Sequence, residues 1–237
     1  MKNIKLVLFV LGLNIIFADN VYAKDAETDK IMDETGTKIN PEVLYKDYID
    51  QGLYFFERGM LNRAKYLFYN AKELMPDKPD SYINMAAIAM KRNNFSLAAK
   101  ILEKSLKLTD NAKQDAIFCN LGSCYQKLEK YEEAKKCYEK AISLNPELGN
   151  ALFNLGMLDL KEGREDTALI NILKARVVFR EQDNKDVVRS CDETLFSIIK
   201  NHKDDAKLAQ ILLTQGSASF ENKRNEEAIA LLKISLL

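Results

Sequence analysis

Three kinds of residue in this 237-residue chain could do chemistry: one histidine, four cysteines, and a spaced set of asparagines and lysines. His202 sits in the charged stretch Asn201-His202-Lys203-Asp204-Asp205, the composition of a solvated turn, which supplies neither a metal cage nor an orienting partner for a general base. Ser197-Ile198-Ile199-Lys200 spells the Ser-x-x-Lys string of serine acyl-enzymes, but the companion motifs are missing and the string reads as chance. No phosphate loop, paired zinc dicysteines, calcium loop or His-Glu-x-x-His occurs, so the expectation is no enzyme, no metal and no cofactor. Of the cysteines, Cys119 and Cys124 are five apart and face different ways on one helix. Cys124 with Cys137, on successive antiparallel helices, is the best-placed pair, and buried free thiols are the preferred reading for all four, Cys191 included.

The asparagines and lysines are the more informative set. Asn84, Asn120 and Asn154 each have a lysine seven residues on, at Lys91, Lys127 and Lys161. Seven residues is about two helical turns, so each pair shares one helix face. A primary amide donates and accepts, and so can pair with the N–H and C=O of an extended peptide without reading its side chains. Lysines alongside favour an acidic segment or a free carboxylate. Asp50 and Thr214 hold the corresponding places towards the two ends, which makes Asp50, Asn84, Lys91, Asn120, Lys127, Asn154, Lys161 and Thr214 the candidate peptide-binding residues.

The elements that would carry them repeat with a period near 34 residues. Residues 115–148 hold Phe118, Leu121-Gly122, Tyr125, Ala134, Tyr138, Ala141 and Pro146. Residues 45–78 repeat this as Tyr48, Gly52, Phe55, Ala64, Phe68, Ala71 and Pro76; residues 79–112 as Tyr82, Met85-Ala86, Ala98, Leu102 and Ser105, with Asp110 in place of proline. Residues 149–182 keep Leu152, Leu155-Gly156, Ala168 and Ala175 but carry Asp159 where the aromatic belongs and Arg180 for the proline, so the second helix is expected to run on towards Gln182. A partial copy over 209–237 has Leu212, Gly216, Ala228 and Leu232. Small residues let two antiparallel helices approach, aromatics fill the space beside them, and proline ends the second helix. Between copies, 183–208 fits no full unit; Val187, Val188, Cys191, Leu195, Ile198 and Ile199 predict one extra helix over about 185–201. Two pairing registers stay open there, one of them joining 185–201 to 206–221.

This pattern resembles the tetratricopeptide repeat (TPR) family. The resemblance implies an all-α solenoid of helix hairpins coiled into a right-handed superhelix, about five repeats plus one extra helix, with the first helix of each hairpin lining the inner surface. It implies a protein-binding scaffold, and the asparagine row is similar to a ladder that some members use to grip an extended chain. Asparagine is also common at this place in the family, so a reading with solvated lysines and no ligand stays open. The clamp that some members use for chaperone tails is only partly matched, because Ile49 and Leu53 stand where it needs lysine and asparagine. Apolar groups expected on the inner face include Leu53, Phe153, Met157, Leu160 and Leu213.

Residues 1–23 read as a signal peptide, with basic Lys2 and Lys5, an apolar run from Leu6 to Phe17, and the small-residue cut site Val21-Tyr22-Ala23. The run is shorter than the roughly 20 apolar residues of a membrane span, so cleavage after Ala23, export to the periplasm or beyond, and no integral span thereafter are expected. Residues 24–41 are polar, with little periodicity, and are expected to be a flexible leader before the 42–237 solenoid. Removing Lys2, Lys5 and Asp19 leaves 33 basic and 34 acidic residues, a balance that predicts no nucleic-acid partner. The end of the sequence, Leu231, Leu232, Ile234, Leu236 and Leu237, is an apolar face without a polar cap, which motivates an alternative function: structural assembly by self-association or docking through that helix.

Overall fold

The computed structural model describes residues 23–24, 31–32, 38–108, 113–201 and 207–214. They form helices, turns and short connections, apart from three two-residue strands, β1 (Ala23–Lys24), β2 (Ile31–Met32) and β3 (Lys38–Ile39), which pair antiparallel in the order β1-β2-β3, from the expected cut site at Ala23 into the stretch expected to be a leader. His202 and Leu231 to Leu237 lie outside the described residues, as do the expected signal peptide before Ala23 and most of the expected last repeat copy. The chain divides into two compact units, Met1–Ile88 and Ala89–Leu237, with the division falling inside one helix.

The first unit holds α1 (Pro41–Glu57), α2 (Leu61–Leu74) and most of α3 (Pro79–Lys91). Asn40 caps α1 by accepting from the Glu42 N–H at 2.9 Å, and Pro41 occupies the first turn, where a missing N–H costs nothing. Phe55, Ala64, Leu67, Phe68 and Ile88 form its core. The second unit continues with α4 (Phe95–Leu106), α5 (Gln114–Lys127), α6 (Tyr131–Leu144), α7 (Gly149–Lys161), α8 (Glu165–Glu181), α9 (Lys185–Asn201) and a helical turn region over 207–214. Consecutive helices from α4 to α9 pack on one another. The extra helix falls where the apolar spacing puts it, and α8 runs to Glu181 as its missing proline implied.

Each tight turn between paired helices is built the same way. One residue takes the left-handed conformation, Gly59 (φ 73°), Asn93 (φ 57°), Glu129 (φ 61°) and Gly163 (φ 74°), and the next N–H reaches back to the carbonyl five residues earlier. Those bonds are Met60 to Phe55, Asn94 to Ala89, Lys130 to Tyr125 and Arg164 to Asp159, all 2.9 Å. This helix-ending pattern satisfies carbonyls that the helix itself leaves unpaired.

Inside the hairpins, glycine meets a ring. A Cβ on Gly122 would lie 2.5 Å from Cε1 of Tyr138, and one on Gly52 would overlap Phe68 in the same way. The sequence pattern places the small residues of the two helices against each other with the tyrosines beside them; the structure instead seats the Tyr138 ring directly on Gly122. Tyr125 turns to the preceding hairpin, where its hydroxyl bonds Glu103 Oε1 of α4 at 2.7 Å.

The same turn recurs once where the sequence showed no repeat. Asp183 has φ 53°, and the Asn184 N–H bonds the Phe179 carbonyl at 2.9 Å, so α8 and α9 are joined by the turn used inside the hairpins. Gly122 and Tyr138 are 16 residues apart, as are Gly156 and Ile172, and the residues at that spacing across the new turn are Arg176 and Asp192, which form an ion pair. The hairpin geometry persists while the glycine-to-ring contact is replaced by charge. Cys191, Leu195, Ile198, Leu208 and Leu212 join Leu169, Ile172 and Val178 in one apolar cluster, which anchors this end of the second unit.

Candidate functional site

Most of the predicted polar row falls in the second unit, on α5 and α7, the first helices of two successive hairpins. Asn120 is half-buried and Lys127 exposed on α5; Asn154 is half-buried and Lys161 exposed on α7. Lys91, at the end of α3, is exposed in this unit, and Thr214 is exposed with its hydroxyl on the Gln210 carbonyl at 2.8 Å. Asn84, half-buried, and Asp50, exposed, belong to the first unit.

The two pairs of the second unit are not equivalent. Asn154 Nδ2 donates to the Ser123 hydroxyl at 3.4 Å, across from α7 to α5. Lys161 Nζ sits 3.8 Å from the centroid of the Tyr131 ring and donates to its hydroxyl, a contact of the cation–π kind. Asn120 and Lys127 make no such contact among the described residues. Ser123 is itself fixed, donating to the Cys119 carbonyl at 3.2 Å and lying 3.4 Å from the Tyr138 hydroxyl, which donates to Gln126 Oε1 at 2.7 Å. A continuous set of contacts therefore joins the Gly122–Tyr138 packing to Asn154. Burial holds the Tyr138 phenol well above its ordinary range, so it stays a proton donor. Between Asn154 and Lys161, Met157 is 37% exposed, an apolar contact inside a polar strip, while Phe153 and Leu160 are half-buried against the core.

Sequence reasoning found the asparagines and lysines but missed Ser123 and Tyr131, which decide what those side chains can do. A signal was present: Ser123 precedes Asn154 by 31 residues and Tyr131 precedes Lys161 by 30, near enough to one repeat for side chains of neighbouring hairpins to meet.

Asp159, the residue standing where an aromatic belongs, is 3% exposed and paired. It accepts from Arg164 Nε at 2.9 Å and Nη2 at 2.6 Å, and from Asn171 Nδ2 at 3.1 Å, so the turn between α7 and α8 is closed by a buried carboxylate. Bonding to Asp159 raises the Arg164 guanidinium pKa still further. The four cysteines are free thiols, and burial pushes each up to about 11, far from a reactive thiolate. No group of residues fit to hold a metal occurs among those described, and none of their helices is long and apolar enough to cross a membrane. Ser197 and Lys200 lie exposed on α9.

Helix pairs closed by one recurrent turn and packed glycine to ring define a helix-hairpin repeat protein. Residues 116–148, the α5–α6 hairpin, match the family model described as tetratricopeptide repeat, so the chain carries a repeat of that family there. It is similar to the anaphase-promoting complex subunit CDC16 of Saccharomyces cerevisiae, 26% identical over 163 residues that cover 66% of this chain and 19% of the relative. It is likewise similar to anaphase-promoting complex subunit 3 of Schizosaccharomyces pombe, 27% identical over 58% of this chain and 20% of that one. The chain thus spans about a fifth of the length of these relatives. Among solved structures, PilF of Pseudomonas aeruginosa superposes with a TM-score of 0.52 at 18% identity, covering 81% of this chain and 90% of that one. MamA of Desulfovibrio magneticus gives 0.50 at 25% identity, over 61% and 78%. These likenesses show the fold.

Proposed function

We propose that this protein is a non-enzymatic scaffold that holds an extended protein segment against the strip formed by Asn120, Lys127, Asn154 and Met157. The observation that carries the reading is the strip itself: amides able to pair with backbone, a lysine with no partner among the described residues and an exposed thioether lie together on the first helices of adjacent hairpins. Backbone-directed amides suit an extended ligand, and the apolar contact supplies binding free energy that hydrogen bonds exchanged with water do not. The signal-like residues 1–23 support export to the cell envelope, where such a scaffold would serve an assembly. Substituting Asn120 and Asn154 together by Ala should leave helicity unchanged and abolish crosslinked co-purification of partners from the intact envelope; unchanged capture refutes the reading. Export is tested by fractionation, with N-terminal sequencing expected to begin at Lys24.

A second reading has the protein docking or self-associating through its far end. Phe196 on α9 is 70% exposed and Leu213 45%, which is the observation favouring it. Light scattering showing a concentration-independent monomer, unchanged by Phe196→Ser, would argue against it.

A further inference from the structure

Resting on the reading in which the far end self-associates, we propose that the outward face of α9 is a two-fold interface with a second copy of this chain, Glu193 of each copy meeting Lys200 of the other around a central pair of Phe196 rings. The helix has two distinct sides. Cys191, Leu195 and Ile198 are buried in the apolar cluster of the second unit. Glu193, Phe196 and Lys200 are exposed, and at about 100° per residue they fall within about 60° of one another on the opposite face. The neighbouring charges are engaged elsewhere: Arg189 bonds Asp186 at 3.1 Å, and Asp192 pairs with Arg176. Glu193 and Lys200 have no ion pair among the described residues, and Phe196 between them is 70% exposed.

What commits this face to a second copy is its own pattern. Acid, ring and base along one strip become base, ring and acid when the helix is turned end over end, so an antiparallel copy presents the complement at each place. A two-fold axis between Phe196 and Ser197 sets Glu193 of one copy level with Lys200 of the other, twice, the two ion pairs lying about 10 Å apart along the helix. It also sets each Phe196 level with Ser197 of the second copy, whose small exposed side chain leaves room for the ring. Contacts in which one patch meets itself are the commonest way for soluble chains to pair. One pair of helices offers less than the roughly 1,200–2,000 Å² of stable interfaces, so the dimer is weak and concentration-dependent. Phe196 supplies affinity, and the charges fix direction.

Sedimentation equilibrium of the full chain over a wide concentration range is the test, with helicity by circular dichroism as the folding control. The wild type should dimerise, and Phe196→Ser should weaken the dimer at least about tenfold. Glu193→Lys and Lys200→Glu each set like charges together at both contacts, and each should weaken it at least about fivefold. Mixing chains that carry Glu193→Lys with chains that carry Lys200→Glu should restore dimerisation, because every contact between unlike chains is then attractive. A wild type that associates while Phe196→Ser has no effect, or a mixture that pairs no better than its components, overturns the α9 interface and leaves self-association to another surface. A wild type that stays monomeric at the highest concentration refutes the interface and the self-association reading together.

Discussion

Replacing Gly122 by Ala sets two opposed effects against each other. Alanine favours a helix over glycine by about 1 kcal/mol, and on an exposed helix it would stabilise. Here the new Cβ would stand 2.5, 2.7 and 3.0 Å from Cε1, Cδ1 and Cζ of Tyr138, so the ring must retreat by roughly 1 Å to reach ordinary carbon contact. Tyr138 is fully buried, and its hydroxyl is fixed on Gln126 at 2.7 Å, so retreat means overpacking at about 1–3 kcal/mol or loss of a hydrogen bond at about 0.5–1.5 kcal/mol. The steric effect wins, with net destabilisation of about 1–2 kcal/mol. Urea unfolding followed by circular dichroism measures it, with unchanged denaturant dependence as the control that the folded state is intact. Adding Tyr138→Leu, which removes the ring, should make Gly122→Ala neutral or stabilising in that background. Because Tyr138 touches Ser123 and Ser123 touches Asn154, the single variant should also shift the Asn154 side-chain amide resonances. A Gly122→Ala protein as stable as the wild type, with no rescue difference, refutes the glycine-to-ring account of the hairpin.

Glu129 pays the steric penalty of a left-handed conformation at an exposed turn, so Glu129→Gly should raise stability by about 0.5–1 kcal/mol in the same assay. Asp159→Ala removes the acceptor shared by Arg164 and Asn171 and should cost about 1–3 kcal/mol, discounted from a fully buried pair because Arg164 is about a third exposed; thermal unfolding decides it. The double change Arg176→Gly with Asp192→Tyr restores the glycine-to-ring contact between α8 and α9 and should raise the melting temperature, since a partly exposed ion pair contributes under about 1 kcal/mol. The thiols, pushed from 9.0 to about 11, keep their protons in the folded state while the unfolded chain ionises, so the folded state binds more protons above pH 9 and stability falls as pH rises from about 9 to 11. Alkylation by iodoacetamide at pH 8 should accordingly be slow for Cys124 and Cys191 until the protein unfolds; rapid labelling in the native state would refute their burial.

Periodicity alone was enough for the helices, including α9, because apolar residues at helical spacing report burial directly. The site was legible in part. Asn120, Asn154, Lys127 and Lys161 stand out by spacing, and the one signal along the chain that separates the two pairs is the presence of Ser123 and Tyr131 about one repeat before Asn154 and Lys161. Their difference depends on Tyr131 and Ser123, which belong to the neighbouring hairpin and meet α7 only when the helices stack. The α8–α9 turn escaped notice for a related reason: Arg176 and Asp192 break the glycine and aromatic pattern, while the Asp183 turn and the 16-residue pairing are preserved in three dimensions.

What the sequence by itself determined is the repeat: its period near 34 residues, which residues are small enough for helices to touch, and that asparagine and lysine recur together on one helix face. Backbone propensity and the demand to bury apolar area act locally, so they are written locally. Tertiary structure alone decided that the Tyr138 ring rests on Gly122, that a buried carboxylate at Asp159 closes the turn between α7 and α8, and that Lys161 is held by Tyr131. Those outcomes depend on distances between side chains 5 to 30 residues apart, which exist only once the helices have packed.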